Sequence, residues 1–273
     1  MSGVALELVL RRDRAIIVAA LITLTALAWA HVLWLADDMA MGGMDMSGFR
    51  MIPAGMGLMM PAPAPWQPIE FAFVFAMWAV MMIGMMTPSA TPMILLYARV
   101  GRQAAMQGKP FAASGWFLGG YLLAWITFAL AATLAQWALE RAALLTPMMK
   151  GASDIFGSAV LIAAGLYQLT PLKDACLRQC QTPWLFIQRH GGFRRDGRGS
   201  IALGAQHGVY CVGCCWALMA LLFVGGVMNV LWIAAIAIFV LAEKIIPAGR
   251  WIARVAGAGF LAGGAWLLTT ALH

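Results

Sequence analysis

The run His207-Gly208-Val209-Tyr210-Cys211-Val212-Gly213-Cys214-Cys215 places an imidazole and three thiols at the start of a long apolar stretch. At 100° per residue their positions fall within an arc of about 100° on a helix, so all four donors share one face. Imidazole and thiolate together select soft ions, copper(I) first and zinc second. A buried free cysteine also behaves as a small hydrophobe, and small residues ease helix packing in lipid. Four donors on one stripe, one of them a histidine inside an apolar span, favour ligation over that blander role. A second thiol pair, Cys176 and Cys180, is spaced by four and therefore lies on one side of a helical turn. Lys173 and Arg178 beside it favour thiolate formation. In a reducing compartment this pair would serve as a metal or transient redox pair rather than a stable disulfide. Whether it completes one site with the His207–Cys215 cluster or forms a separate station is open at this stage.

Thioethers form two further groups. Met39, Met41, Met44 and Met46 sit in a Gly-rich polar stretch with Asp37, Asp38 and Asp45, where there is little core for methionine to fill. Thioethers need no deprotonation and survive oxidising conditions, so this stretch is expected to capture copper(I), with His31 as an optional helper. Met77, Met81 and Met85 make an i, i+4 stripe, and Met82 and Met86 make another. Such a ladder would pass a soft ion by ligand exchange; helix packing is the competing role. Pro88 and Pro92 remove backbone donors and are expected to break or kink this helix, making Thr87–Pro92 a hinge or constriction.

These donors must be held by membrane helices. Of 273 residues, 63% are hydrophobic and 11% charged, which excludes a soluble domain and implies an all-α, polytopic helix bundle. Seven apolar segments of about bilayer length are expected: 15–36, 69–98, 114–139, 152–170, 202–224, 227–246 and 251–272. Gly225-Gly226 would turn the chain between the fifth and sixth. With the N-terminus cytoplasmic, all of the 18 Lys and Arg except Arg50, Arg141 and Lys150 fall on the cytoplasmic side, satisfying the positive-inside rule. The net charge of +7 thus encodes orientation, and no nucleic-acid partner is expected. Residues 1–36 read as an anchor retained in the membrane, although Ala28-Trp29-Ala30 resembles a cleavage site. Residues 37–68 form an extracytoplasmic Met/Pro-rich loop. Residues 69–273 form a six-helix metal-binding domain with a cytoplasmic Cys-containing loop at 171–200, whose Trp184-Leu185-Phe186-Ile187 patch suits the headgroup level.

Gly115/Gly119 and Gly259/Gly263 have the spacing that lets membrane helices approach closely. Glu243 and Lys244 are expected at a membrane edge, with the long lysine side chain reaching outward. Five cysteines in a chain of this length are individually placed thiols, not a disulfide framework. No phosphate-binding glycine loop, Ser-His-Asp set or paired intramembrane carboxylates is present, so no catalytic residue is assigned.

Met81-Met82-Ile83-Gly84-Met85-Met86-Thr87-Pro88-Ser89, together with Tyr210-Cys211-Val212-Gly213-Cys214-Cys215-Trp216 and the following Leu218-Met219 and Gly226-Val227-Met228-Asn229, resembles a bacterial family of integral membrane proteins inferred to bind metal. Its members carry a domain of unknown function and are sometimes labelled copper chaperones. Pro171-Leu172-Lys173, Cys176, Cys180 and Pro183 fit the same pattern. The resemblance covers about residues 70–270 and implies metal binding in a bacterial inner membrane.

The expectation is therefore a multi-pass protein that binds copper(I) and moves or delivers it, with a metallochaperone or metalloenzyme as a further partner. His207, Cys211, Cys214, Cys215, Cys176 and Cys180 would hold the ion, and the methionines would capture and relay it. Two alternatives use the same residues: a membrane thiol–disulfide electron carrier, and a non-catalytic assembly factor for a metalloenzyme. The missing outward-facing thiol counts against the electron carrier.

Overall fold

The structure, a computed structural model, describes residues 3–40, 66–108, 113–146 and 149–273. Among these residues every regular element is a helix, and the only β pairing is an isolated bridge between Leu145 and Gly151. The order is α1 (Gly3–Ala40), α2 (Pro68–Met106), α3 (Ser114–Arg141), α4 (Asp154–Gln168), α5 (Pro171–Gln181), α6 (Pro183–Arg189), α7 (Gly197–Ala220), α8 (Leu222–Gly225), α9 (Val230–Ile245) and α10 (Gly249–Leu272). The all-helical expectation holds. Helices satisfy their own backbone groups, which is what a chain this apolar requires in lipid.

Among the described residues five helical stretches are long and apolar enough to cross a membrane: Arg14–Asp37, Pro68–Ala104, Ser114–Arg141, Gly197–Gly225 and Gly249–Leu272. Helices α4 and α5 qualify together as a sixth, bent by 65°. The bend has a local cause. Thr170 ends α4 and caps α5 by accepting the Lys173 N–H at 3.2 Å, and Pro171 begins the new helix where no backbone donor is needed. Helix α9 is the expected sixth segment, but its 16 residues rise only about 24 Å, short of a ~30 Å hydrocarbon core. The seven equal spans read from hydropathy are thus five long helices, one bent pair and one short inner helix. The Gly225-Gly226 turn is where expected: Gly226 has φ +96°, and Asn229 caps α9 by accepting the Trp232 N–H at 3.2 Å.

Two seams organise the bundle, α3 against α7 and α4 against α10, with α1 and α3 flanking α2 and with α5 lying on α7. The glycines that permit them are not the predicted pairs. A Cβ on Gly115, Gly119, Gly259 or Gly263 would meet nothing within 4 Å, so those spacings serve no helix contact here. Gly120 and Gly204 face each other across the first seam, where an added Cβ would come within 2.0 Å of the Ile201 or Phe117 carbonyl oxygen. Gly165 plays the same part against α10, 2.8 Å from the Gly257 carbonyl oxygen. Close backbone approach replaces the hydrophobic drive that lipid removes.

Helix α2 does not break at its prolines. It runs through Pro88 and Pro92, and hydroxyls turn back onto the preceding turn: Thr87 Oγ1 donates to the Ile83 carbonyl at 2.7 Å, Ser89 Oγ to Met86 at 2.9 Å and Thr91 Oγ1 to Thr87 at 3.2 Å. Tyr121 of α3 adds its hydroxyl to the Met86 carbonyl at 3.1 Å. Polar side chains thus add bonds to carbonyls near the prolines, beside those of Gly84 and Pro88, which lose their i−4 donors to Pro88 and Pro92.

Candidate metal centre

The buried face of α7 is Ser200, Leu203, Gly204, His207, Gly208, Cys211, Cys214, Cys215 and Leu218, a run of three- and four-residue steps. Such steps keep one stripe facing inward. Asp196 fixes the start of the helix by accepting the Gly199 N–H at 2.9 Å, and Gly204 and Gly208 let the stripe press onto α3. All four predicted donors of this helix are therefore inside the bundle, facing neither lipid nor water.

Helix α5 brings the second thiol pair to the same place. Cys176 and Cys180 are half-buried and pack against the core around α7. A Cβ built on Gly213 would lie 2.9 Å from Cys176 Sγ, so the glycine between the α7 cysteines is the seat of the α5 thiol. Tyr167 of α4 donates its hydroxyl to the Gly213 carbonyl and pins that turn. Cys180 lies within interaction range of Cys211 and Cys214. Packing thus brings the loop pair and the helix cluster close together.

The hydrogen bonds within it are informative. Cys214 Sγ and Cys215 Sγ both turn back to the Cys211 carbonyl, at 3.1 and 2.9 Å. Cys211 Sγ lies 3.1 Å from the Tyr121 hydroxyl and accepts from Lys244 Nζ at 2.7 Å. Lys244 Nζ also donates to Ser89 Oγ of α2 at 3.1 Å. In this arrangement the thiols are satisfied locally, and among the described residues no three His, Cys, Asp or Glu side chains form a ready-made metal-binding group. The donor set fits a soft ion in another respect. His207 is 3% exposed and boxed by the rings of Phe117, Tyr121 and Phe186, yet among the described residues its Nδ1 has no hydrogen-bond partner. An orphaned polar atom buried among apolar groups is costly unless something occupies it. Rotation of Cys214 or Cys215 about χ1 would release a thiol from the carbonyl without moving the backbone.

Lys244 and Glu243 correct the sequence reading. Both were expected to reach out of a membrane edge, and both are buried. Glu243 receives Lys173 Nζ at 2.8 Å and Gln168 Nε2 at 3.0 Å, and Gln181 Nε2 donates to its carbonyl at 2.7 Å. Lys173 and Glu243 are 0% and 1% exposed. A charged pair at the end of an apolar run is a functional pointer in its own right; here the exposed Ile245 and Ile246 that follow gave no sign that Glu243 and Lys244 turn inward.

The thioether stripe is placed as expected but in an ordinary setting. Met77, Met81, Met82, Met85 and Met86 are all buried in the main core, joined by Met149, Met219 and Met228 from elsewhere in the chain. His31 is partly buried, with its ring 5.9 Å from Trp34. Met39 lies in the last turn of α1, its side chain outside the described residues, and Met41, Met44 and Met46 also fall outside them. At the opposite end of α2 and α3, Trp66 donates to Glu140 at 2.9 Å, and Gln136 links Trp78 (2.7 Å) to Glu140 (2.9 Å).

A family model described as PpoB2, copper chaperone, matches residues 75–267, which spans α2 to α10 and every residue of this centre. No curated protein and no solved structure matches the chain.

Proposed function

The chain belongs to the PpoB2 copper chaperone family, and from that premise we propose that it binds copper(I) within the membrane and transports it or hands it on. The observation that carries this reading is the packing of α5 on α7, which seats Cys176 against Gly213 between the buried Cys211 and Cys214, with the buried His207 on the same helix face. Cys211, Cys214 and Cys180 are the proposed ligands, with Cys215, Cys176 and His207 within reach as the ion moves. Thiolate is the donor class that selects copper(I), and low coordination numbers suit that ion.

The methionine stripe of α2 and the Met39–Met46 segment are the proposed route of arrival, and Pro88 and Pro92 the hinge along it. Positive-inside asymmetry supports a cytoplasmic N-terminus and a bacterial inner-membrane setting, with the α5 thiols on the cytoplasmic side. From there a soluble metallochaperone or a metalloenzyme would receive the ion. Anaerobic titration of the purified protein with copper(I) against a chromogenic chelator tests the reading. Stoichiometric uptake in the wild type and its loss in Cys211→Ser plus Cys214→Ser is the expected result. Equal uptake by both proteins would remove the centre.

A further inference from the structure

Lys244 is the one side chain of the centre that no ligand role accounts for. It is a cation, and it lies 2.7 Å from the sulfur that the preceding proposal makes a ligand. It is also held there. Ser89 Oγ takes a second Nζ proton at 3.1 Å from the α2 side. The neighbouring Glu243 is clamped from the α5 side by Lys173, with Gln181 on its carbonyl. Gly249 presses so closely on the Glu243 carbonyl that a Cβ there would come within 1.8 Å of it. The end of α9 is therefore gripped from both sides, and the ammonium has little freedom to swing away. The adjacent Glu243 directs both carboxylate oxygens to Lys173, at 2.9 and 2.8 Å, and not to Lys244.

We propose that Lys244 is a charge filter, a specificity-determining residue whose fixed ammonium admits soft monovalent ions to the thiol centre and rejects soft divalent ones. The inference rests on the thiol centre being a metal site. At a given distance an ammonium repels a dication twice as strongly as a monocation. A few ångströms away inside protein, that one extra unit of charge is worth more than about a tenfold change in affinity. Thiolates alone would not make this distinction, since they hold zinc and cadmium as well as copper(I). The ammonium also offsets one thiolate charge, so the site is less negative than the thiolates alone would make it. Removing it would leave excess negative charge, which favours a dication.

Silver(I) and cadmium(II) isolate the charge effect, because both are soft and neither changes oxidation state during handling. Purified full-length protein is equilibrated with the two ions in competition, and the bound ratio is read by mass spectrometry of the metal content. The wild type should take silver(I) and leave cadmium(II). Lys244→Gln and Lys244→Leu should shift the ratio toward cadmium(II) by about tenfold or more, and Lys244→Arg, which keeps the charge, should hold the wild-type ratio. A purely structural role would lower uptake of both ions together and leave the ratio unmoved, which would overturn the inference. So would a wild type that takes the two ions equally, whatever the variants do. Silver(I) binding with an unchanged ratio across the variants would sink the filter and spare the copper reading. Binding of neither ion by the wild type would sink both.

Discussion

The thiol face of α7 and the thioether face of α2 are equally buried and both carry several sulfur atoms, yet they are physically unlike. Around Cys211 the sulfur meets an ammonium, a phenol and, on the next turns, two more thiols. One turn away is an imidazole nitrogen with nothing bound to it. Around Met81 and Met82 the neighbours are hydrophobic core. The first region has donors whose charge can change and whose partners can be exchanged. The second has neutral donors that also fill space, as methionine does in any core. Sulfur content alone therefore does not mark a site; the polar company it keeps does.

The comparison is sharpest where charge is removed. Lys173→Met would leave Glu243 buried without its cation, and about 3–5 kcal/mol of stability should be lost. Thermal unfolding in detergent should show that loss, with most of it restored by Lys173→Met combined with Glu243→Leu. If the single variant unfolds like the wild type, the polar end of α9 does not hold the thiol region together. On the thioether face, Met82→Ala should cost about 2–5 kcal/mol through the cavity it leaves, whereas Met82→Leu should cost less than about 1.5 kcal/mol. Copper(I) affinity should be nearly unchanged in Met82→Leu; a large drop would promote that face from core to ligand.

Gly213→Ala separates the regions without touching a donor. Its methyl group would displace Cys176 Sγ, 2.9 Å away, from its seat against α7. Copper(I) affinity should fall about tenfold, equivalent to about 1.4 kcal/mol, in a chelator competition. An unaltered affinity would mean that α5 is not part of the centre. The smallest effect is expected for Tyr121→Phe, which removes one hydrogen bond to Cys211 and one to the Met86 carbonyl. A cost of about 1 kcal/mol would appear in unfolding, the net worth of a neutral hydrogen bond.

What could be read from the sequence follows the same division. The α7 stripe was legible because three- and four-residue spacing maps directly onto one helix face. The i, i+4 thiols of α5 were legible as a pair, but not their destination, which depends on the 65° bend after α4. The ammonium was not legible at all. Lys244 lies 33 residues from Cys211, and Lys173 lies 70 residues from Glu243, so neither contact leaves a local pattern. Nor were the seams: Gly120 and Gly204 carry them, while the better-looking Gly115/Gly119 and Gly259/Gly263 spacings face open space. Spacing says which residues share a face, and only packing says what the face meets.

X-ray absorption at the copper edge of the copper(I)-loaded, anaerobically purified protein tests the central claim most directly. A ligand shell dominated by thiolate sulfur, unchanged in Met81→Leu plus Met85→Leu and abolished in Cys211→Ser plus Cys214→Ser, is the predicted result. A sulfur shell that survives loss of both cysteines, or a shell of nitrogen and oxygen alone in the wild type, would contradict the account.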